Sequence, residues 1–573
     1  MIITYDIECL KYDWIVVFKE GDSYRVIHND KEDLKAYVEA HKRDILVGFN
    51  NYHYDDIVLA GLLMDKDPYK ISQEIVFEKK RVKYRLNHIT LDVMQELPLG
   101  VGLKSSQANL GMSIVETPID FKINRKLTED ELSKLVEYCK NDVRDTELLF
   151  KKRQDYFTAK FEIVKEFGLE ATNVKKTRAI LSSKVLKCHR RMGTINDRLR
   201  IQYDPNIDWK IIPKEVKRFF EECEYDYICG EDHEIIEKRS LQINIAGVPH
   251  VVAFGGLHGA IEKYNGEGNY LQIDVSSYYP SLIINNGFMS RASTEPELYE
   301  ELRKKRFELK KNKDPREYIY KILLNATFGA TKSEYNALYD PRQANNICIN
   351  GQLILIQLVL ELTTKAGVEL IQSNTDGIII KYTNNYEKIE EIIKDFGLRF
   401  NLGFDMDKIT KVAQRDVNNY AILFENGKIK AKGRFSKFEG GGYEQNTLTI
   451  IDRALVNYYI YGKDIGLTIM EAYEKNDLLP FQIIAKAGVT YDGMYYEYGD
   501  EGDTKYIETQ KVNRVFATNN KKYWGIYKRK GTSYQKIANT SDHNYIHNDD
   551  ISTFDKTLLD LNYYVDLCKK NLY

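Results

Sequence analysis

Strand-like runs and helical patterns alternate through the first part of the chain. Apolar strand patterns occupy Met1–Tyr5 and Asp44–Phe49, and a helical pattern follows at Asp130–Lys151. Segments that alternate in this way pack helices against a sheet, so an α/β domain is predicted for the N-terminal region. With 573 residues, the chain is long enough for several domains.

The later part of the chain has a different pattern, with long helices and a β-hairpin. A charged helix is predicted from Pro296 to Lys313, a more apolar helix from Glu317 to Phe328, and a third from Asn345 to Ala366. The runs Val368–Ile371 and Ile378–Tyr382 flank a polar turn, which is the pattern of a β-hairpin. The predicted fold class is therefore multidomain, with both α/β and α+β parts.

Five polar residues of the N-terminal region are spaced so that they can converge. Asp6 and Glu8 share one face of a strand, because side chains alternate with period two. Asp55 follows a strand and opens a helix, and Tyr138 and Asp142 lie four apart on one helix face. Buried paired acids repel each other unless a cation lies between them, so a metal site is predicted. Taken alone, the pair Asp6 and Glu8 would also fit a solvated strand.

A second group of candidate functional residues includes two further acids. Asp274 ends a short apolar strand, and Asp376 lies in the turn of the predicted hairpin. Lys321, Asn325 and Phe328 fall on one helix face at spacings of four and three. The segment around Asp376, taken alone, has the composition of an ordinary turn, so its functional interpretation depends on the other residues.

Two known families carry these motifs in this order. The Asp-x-Glu at Asp6, the Asn-x-x-Tyr-Asp that ends at Asp55, and the Tyr-x-x-x-Asp that ends at Asp142 resemble the exonuclease motifs of tyrosine-type DEDD nucleases. The segments Asp274–Ser281, Lys321–Gly329 and Ser373–Gly377 resemble motifs A, B and C of family B DNA polymerases. This resemblance implies an RNase H-like 3′→5′ exonuclease domain followed by a right-hand polymerase with palm, fingers and thumb.

The resemblance also implies a cofactor, a substrate and residue roles. Each site would use two Mg²⁺ or Mn²⁺ ions, and the polymerase would use dNTPs. The implied metal ligands are Asp6, Glu8, Asp55 and Asp142 in the exonuclease, and Asp274 and Asp376 in the polymerase. Tyr138 would orient the attacking water, Lys321 would hold the triphosphate, and Tyr279 matches the position whose ring excludes a ribose 2′-OH.

Further nucleotide and DNA contacts follow from the same resemblance. The implied nucleotide contacts are Ser277, Tyr279, Lys321, Asn325 and Arg306, and the implied DNA contacts are Phe328, Gly329, Gly255, Gly256, Tyr420, Lys430 and Lys432. Lys430 and Lys432 alternate on a strand-like segment, which suits a track for phosphates, although a polar strand edge would look the same.

The chain departs from the family pattern at three positions. Asn374 replaces the first aspartate of motif C, Ala253 replaces the tyrosine of the Tyr-x-Gly-Gly link, and Asn418 replaces a lysine after motif C. Two carboxylates remain in the polymerase motifs, which is the minimum for a two-metal site. On the sequence alone, the substitution Asn374→Asp is expected to leave the protein active, because it restores the usual residue.

The amino-acid composition narrows the functional class of the protein further. The 83 basic and 85 acidic residues nearly cancel, giving a formal charge of −2, which is unusual for a passive nucleic-acid coat and suits an enzyme with acidic metal sites. The seven cysteines form no C-x-x-C pair, so neither a zinc site nor a disulfide framework is indicated, and a cytoplasmic location is expected. No signal peptide and no run apolar enough to span a bilayer are expected.

The expected organisation is that of a compact bacteriophage polymerase. The predicted divisions are an exonuclease domain at 1–156, a helical connector at 157–240, palm at 241–290, fingers at 291–335, palm again at 336–439, and a thumb at 440–573. The short gaps between motifs A, B and C predict a nucleic-acid primer and no terminal protein. The expected partners of this monomer are primer–template DNA, single-stranded DNA in the exonuclease site and phage replication proteins, with no membrane; the location would be the host cell cytoplasm.

Two alternatives stay open at this point. Because Asn374 departs from the pattern, the chain could be an exonuclease whose polymerase body only binds DNA. It could also be a non-enzymatic scaffold that clamps primer–template. Intact Asp274, Lys321 and Asp376 argue against both alternatives.

Overall fold

The computed structural model describes residues 1–117, 119–121, 123–190, 197–444, 447–488 and 490–573. Within these residues the chain forms two compact units. The first comprises Met1–Thr177, Phe438–Ala454 and Asp464–Leu572, and the second comprises Arg178–Lys437, Leu455–Lys463 and Tyr573. The mixed α/β, multidomain fold class is confirmed. The finer division into six segments stays a prediction, and residues 191–196 of the expected connector lie outside the described residues.

The N-terminal region of the first unit is built around a mixed sheet. Its elements are β1 (Ile2–Cys9), β2 (Trp14–Glu20), β3 (Ser23–His28), α1 (Lys31–Ala40), β4 (Ile45–Gly48), α2 (Asp55–Leu63), α3 (Pro68–Val76), β5 (Ile89–Asp92), α4 (Leu103–Asn109), α5 (Glu129–Lys152) and α6 (Gln154–Glu166). The strand order is β3-β2-β1-β4-β5, with β1 antiparallel to β2 and parallel to β4. This topology agrees with the α/β domain expected from the sequence.

The helix α5 is fixed at its start and along one face. Thr128 and Glu131 form a reciprocal capping box, which satisfies free backbone N–H groups at the helix N-terminus. Leu135, Cys139 and Val143 are buried in a core with apolar residues of β2. Burial of this stripe sets the rotation of α5, and the adjacent positions therefore face the end of β1.

The second unit is built around a nine-stranded sheet. Its elements are α7 (Arg178–Val185), α8 (Lys214–Ile228), α9 (His233–Ile236), β6 (Leu241–Ile245), β7 (Val248–Val252), β8 (His258–Ala260), β9 (Tyr264–Val275), α10 (Tyr278–Asn285), α11 (Glu297–Lys311), α12 (Glu317–Thr331), α13 (Pro341–Ala366), β10 (Glu369–Asn374), β11 (Gly377–Lys381), α14 (Tyr386–Phe400), β12 (Phe404–Asp416), β13 (Asn419–Phe424) and β14 (Ile429–Lys432). The strand order is β14-β13-β12-β9-β11-β10-β8-β7-β6. The three predicted helices correspond to α11, α12 and α13, and the predicted hairpin is β10–β11.

The helix α13 corrects one expectation from the sequence. Among the described residues, α13 is the one helix that is long enough and apolar enough to cross a membrane, judged by length and composition. No such run was expected from the sequence. However, 83% of the apolar stretch of this helix is buried inside the protein. A buried core helix passes the same test of length and composition, so this helix is only weak grounds for a membrane segment.

The C-terminal part of the chain adds two small sheets. Its elements are α15 (Thr449–Tyr461), α16 (Ile465–Glu474), β15 (Ile483–Lys486), β16 (Gly493–Asp500), β17 (Asp503–Thr509), β18 (Val512–Ala517), β19 (Tyr523–Lys530), β20 (Ser533–Lys536), β21 (Asn544–Ile546) and α17 (Leu561–Lys569). Arg514 is fully buried and donates to the carbonyl oxygens of Ala108 at 3.1 Å and Met112 at 2.7 Å. The strand β18 therefore packs on α4 within the first unit, and the assignment of 440–573 to a thumb stays a prediction.

Candidate active sites

Three carboxylates of the first unit meet at the end of β1. Asp6 and Glu8 lie on one face of β1, and Asp142 lies on α5. One carboxylate oxygen from each of the three lies within 4.8 Å of the others. Asp55, the first residue of α2, accepts a hydrogen bond from the backbone N–H of Ile7 at 3.2 Å. Three of the four acids predicted as metal ligands therefore form one cluster, and the fourth, Asp55, lies against the backbone of β1.

The electrostatics of this cluster favour a bound cation. Burial and the nearby Asp142 carboxylate raise the pKa of Asp6 to about 7. Burial, followed by repulsion from Asp6, also raises the pKa of Glu8 and of Asp55 well above the usual range. A divalent ion would relieve this repulsion, and carboxylate oxygens are the ligands that Mg²⁺ and Mn²⁺ prefer. The donor set therefore fits the predicted metal.

Lys104 belongs to this site, although the sequence assigned it no role. Its ammonium group forms an ion pair with Asp142 and lies 4.5 Å from the centroid of the Tyr138 ring. Tyr138 and Asp142 lie on one face of α5, as their spacing predicted. Burial raises the pKa of Tyr138, so its hydroxyl stays protonated and able to donate a hydrogen bond. The pairing of Lys104 with Asp142 joins α4 to α5, so no local spacing in the sequence indicates it.

Two acids near the cluster have structural partners instead. Asp56 accepts hydrogen bonds from the hydroxyl groups of Tyr5 at 2.5 Å and Thr90 at 2.6 Å. Asp92 accepts from the backbone N–H groups of Asn50 and Met94, both at 2.8 Å. The bonds of Asp56 connect α2 to β1 and β5, and those of Asp92 hold the backbone that follows β4 and β5. Both acids are therefore buried without belonging to the carboxylate cluster.

In the second unit, two carboxylates meet where β9 and the β10–β11 hairpin end. Asp274 pairs with Gly377 in the antiparallel register of β9 and β11, and the N–H of Val275 donates to the carbonyl oxygen of Asp376 at 2.8 Å. A Cβ atom at Gly377 would lie 2.0 Å from Oδ1 of Asp274. The absence of a side chain at position 377 therefore gives the Asp274 carboxylate its space beside Asp376.

Lysine side chains partly neutralise these two acids. Burial raises the pKa of Asp274; the ammonium of Lys430, 3.8 Å from Oδ2, opposes that rise, and repulsion from Asp376 adds to it. Burial also raises the pKa of Asp376, against the effect of Lys430 and Lys432. The acids and lysines share a cavity of about 330 Å³. Its lining consists of Gln272, Asp274, Gln372, Asn374, Thr375, Asp376, Gly377, Ile378, Ile379, Tyr420, Lys430 and Lys432.

A second cavity, also of about 330 Å³, adjoins Asp376 and contains the residues predicted to bind a nucleotide. Its lining consists of Ser277, Tyr278, Tyr279, Pro280, Arg306, Lys321, Asn325, Phe328 and Asp376. The helix face predicted from the spacing of Lys321, Asn325 and Phe328 therefore lines one cavity together with Tyr279. Two cationic side chains and a carboxylate in a single cavity could hold a triphosphate beside a metal.

Arg306 is held in place by neighbours within this unit. Its guanidinium donates to the hydroxyl of Ser277 at 2.8 Å and to Glu317 at 3.1 Å, and only 9% of the residue is exposed. Ser277 has a left-handed backbone with φ of 51° and precedes α10. Arg306 therefore fixes the turn between Asp274 and Tyr279 while it lines the nucleotide cavity.

The residues predicted to contact DNA differ in how much space the structure leaves beside them. An added Cβ atom at Gly255 or at Gly329 would meet nothing within 4 Å, so other molecules can approach these two residues. A Cβ atom at Gly256 would lie 2.8 Å from the hydroxyl of Thr375, so Gly256 is needed for packing against the turn that carries Asp376. Tyr420 is only 4% exposed, and burial, followed by the charges of Asp274 and Asp376, raises its pKa to about 12.

Comparisons with known proteins find similarity to DNA polymerases. Over 119 residues the chain is 32% identical to DNA polymerase 1 of Sulfolobus acidocaldarius and 30% identical to DNA polymerase 1 of Sulfurisphaera ohwakuensis. Each match covers 20% of this chain and only 13% of the relative. Over 73 residues the chain is 37% identical to the uncharacterized mitochondrial protein ymf34 of Marchantia polymorpha, a match to 13% of this chain and 92% of that protein.

The family B DNA polymerase of Pyrobaculum calidifontis matches with a TM-score of 0.41 and 14% identity, over 99% of this chain and 76% of that chain. No protein-family model matches the chain.

Proposed function

We propose that this chain is a family B DNA polymerase of the compact bacteriophage type, which extends a primer on a DNA template and proofreads with a 3′→5′ exonuclease. One observation carries the proposal: the register of β9 and β11 brings Asp274 beside the turn of Asp376, next to a cavity that contains Tyr279 and Lys321. The sequence similarity to two archaeal DNA polymerases supports it.

The polymerase site offers each group that nucleotide transfer needs. Asp274 and Asp376 would hold two Mg²⁺ or Mn²⁺ ions, which when bound stabilise negative charge on the reacting oxygens. Lys321 and Arg306 line the cavity where the triphosphate would bind and can offset charge on the leaving pyrophosphate. Tyr279 would present its ring to the sugar of the incoming nucleotide, and Asn325 and Phe328 would contact the new base pair.

The exonuclease site offers a second, separate set of groups. Asp6, Glu8, Asp55 and Asp142 would hold the ions that stabilise the attacking and leaving oxygens. The protonated hydroxyl of Tyr138 would orient the attacking water, and Lys104, which contacts both Asp142 and the Tyr138 ring, would keep them in position. The crowding of ionisable carboxylates, with the pKa of Asp6 raised to about 7, supports this assignment.

DNA would reach the polymerase site along a basic edge of the sheet. Lys430 and Lys432 on β14 lie beside the carboxylates and would contact phosphates, and Gly255 and Gly329 leave space for a strand. Tyr420 is buried, so it would support this edge by packing against β14 and would not contact DNA directly. We further propose that the enzyme acts as a monomer in the host cytoplasm with a nucleic-acid primer, phage replication proteins and no terminal protein.

A single primer-extension assay tests the proposal against its two rivals. A labelled primer–template is incubated in Mg²⁺ with and without dNTPs, and the products are separated by length. A polymerase with proofreading lengthens the primer with dNTPs and shortens it without them. An exonuclease that only binds DNA shortens the primer in both reactions, and a scaffold does neither.

Variants at the two carboxylates assign the synthesis to the proposed site. Asp274→Ala and Asp376→Ala should each abolish extension, while shortening in the absence of dNTPs persists. Extension by both variants at the parental rate would remove the polymerase assignment.

A further inference from the structure

Two amide side chains of β10 donate to the same backbone carbonyl. Nδ2 of Asn374 lies 3.0 Å from the carbonyl oxygen of Val417, and Nε2 of Gln372 lies 3.3 Å from the same oxygen. Asn374 and Gln372 are two residues apart on one strand, so both side chains leave the same face of the sheet. Val417 lies in the turn between β12 and β13. The two amides therefore connect the strand that leads to Asp376 with this turn.

The connected turn leads directly into part of the polymerase cavity. Tyr420 follows Val417 by three residues on β13, and β13 pairs with β14 in the register Tyr420↔Lys432. Lys430 and Lys432 line the cavity that contains Asp274, and Lys430 lies 3.8 Å from that carboxylate. The contact at Val417 thus adds a side-chain link between this β13–β14 hairpin and the strand that leads to Asp376, beside the backbone pairing that runs through β12 and β9.

An aspartate could not make the contact that Asn374 makes. The amide of Asn374 donates to Val417 and also accepts from the hydroxyl of Thr375 at 3.3 Å. An ionised carboxylate has acceptor atoms only, so at position 374 it would face the carbonyl oxygen of Val417 with a negative oxygen. The bond would be lost, and a repulsion between two acceptors would replace it.

We propose that Asn374 and Gln372 are positioning residues that tie the β13–β14 hairpin to the turn of Asp376, so that this polymerase site requires an amide at position 374. The inference rests on the proposed polymerase function. It reverses the expectation drawn from sequence alone, in which Asn374→Asp restores a usual residue and leaves the protein active. Where motif C usually has a carboxylate, Asn374 in this protein supplies a hydrogen-bond donor.

The test uses variants of nearly equal size in the full-length protein. Asn374→Asp and Gln372→Glu remove a donor and add a charge, whereas Asn374→Leu and Gln372→Leu remove the donor alone. We expect each Asn374 variant to raise the KM for primer–template about tenfold, the upper end of the effect of one lost, partly buried hydrogen bond, with a smaller fall in kcat at saturating DNA. Asn374→Asp should be no better than Asn374→Leu. Amide hydrogen exchange of residues 418–432 should quicken in both.

A matched control separates the added charge from the lost bond. Asn418→Asp places the same negative charge beside Val417, but the exposed side chain of Asn418 lies outside the contact, so its KM should stay within about twofold of the parent. Shortening of single-stranded DNA, which uses residues of the other unit, reports that each variant is folded.

The outcomes distinguish this inference from the proposed function. If Asn374→Asp extends primers as well as the parent at limiting DNA and limiting Mg²⁺, the inference is wrong, because the site then tolerates or prefers a carboxylate. If Asp274→Ala also extends primers, the polymerase assignment itself is wrong. Unchanged hydrogen exchange in residues 418–432 of Asn374→Leu would likewise overturn the tie to the hairpin.

Discussion

The ring of Tyr279 stacks on the ring of Phe328, with centroids 4.1 Å apart and an interplanar angle of 23°. Tyr279 lies in the first turn of α10 and Phe328 lies on α12, so the stack joins two separate helices. Both rings line the cavity that contains Lys321. The stack restricts the orientation of the Tyr279 ring within the cavity proposed to bind the nucleotide.

This restriction predicts that Tyr279 excludes ribonucleotides. Tyr279→Ala should lower the ratio of kcat/KM for dNTP to kcat/KM for rNTP by about a hundredfold, since a steric clash worth about 3 kcal/mol is removed. Tyr279→Phe keeps the ring and should keep the ratio. Phe328→Ala frees the ring without removing it and should give an intermediate value. An unchanged ratio in Tyr279→Ala would remove this residue from sugar selection.

The close approach of Gly377 to Asp274 predicts a severe effect of one methyl group. In Gly377→Ala the new Cβ would overlap Oδ1 of Asp274, so the carboxylate or the hairpin must shift. Displacing a catalytic group by about 1 Å can cost on the order of a hundredfold in rate, and we expect at least that loss in extension. Single-turnover primer extension measures the loss. Parental extension by Gly377→Ala would show that the pairing of β9 and β11 can yield without moving the catalytic acids.

Local spacing was sufficient to predict which side chains share a face. Period two placed Asp6 with Glu8, and a spacing of four placed Tyr138 with Asp142, because these relationships depend only on the geometry of a strand or a helix. The face of α12 that carries Lys321 was predicted for the same reason. These elements were found close to their predicted bounds, and Lys321, Asn325 and Phe328 line one cavity.

Contacts between distant segments could not be predicted in this way. The ion pair of Lys104 with Asp142 joins α4 to α5, and the contact of Gly256 with Thr375 joins two segments far apart in the chain. Each depends on how elements pack, which no local period specifies. Asn374 shows the consequence most directly, because its hydrogen bond to Val417 crosses from one hairpin to another and changes the expected effect of a substitution.

The carboxylates at β1 predict which variants separate proofreading from synthesis. Asp6→Ala combined with Glu8→Ala removes two of the four acids that converge there, and should cost several kcal/mol, hence about a thousandfold or more in the rate of 3′-end degradation. Extension with dNTPs should continue, because Asp274 and Asp376 lie in the other unit. The measurement compares removal of a mismatched 3′ nucleotide by the variant and the parent. Removal at the parental rate would place the nuclease elsewhere.

The raised pKa of Asp6 predicts how stability depends on pH in the absence of divalent metal. The folded protein holds a proton on Asp6 up to about pH 7, whereas the unfolded chain releases it near the ordinary value of 3.8. Between these values the folded state binds more protons than the unfolded state, so the contribution of Asp6 to stability falls as pH rises and levels off above pH 7. Glu8 and Asp55, whose pKa values are also raised, contribute in the same direction.

The measurement must separate Asp6 from groups that act in the opposite direction. Burial lowers the pKa of His88, His250 and His258, so their contribution to stability rises with pH over part of the same range. Unfolding temperatures of the parent and of Asp6→Asn, measured in EDTA from pH 5 to pH 8, cancel the histidine contributions when subtracted. The parent should lose stability relative to Asp6→Asn as pH rises, and Mg²⁺ should restore it, because a bound cation stabilises the ionised carboxylates. A difference that stays constant with pH would mean that Asp6 ionises normally and that the acids at β1 do not crowd one another.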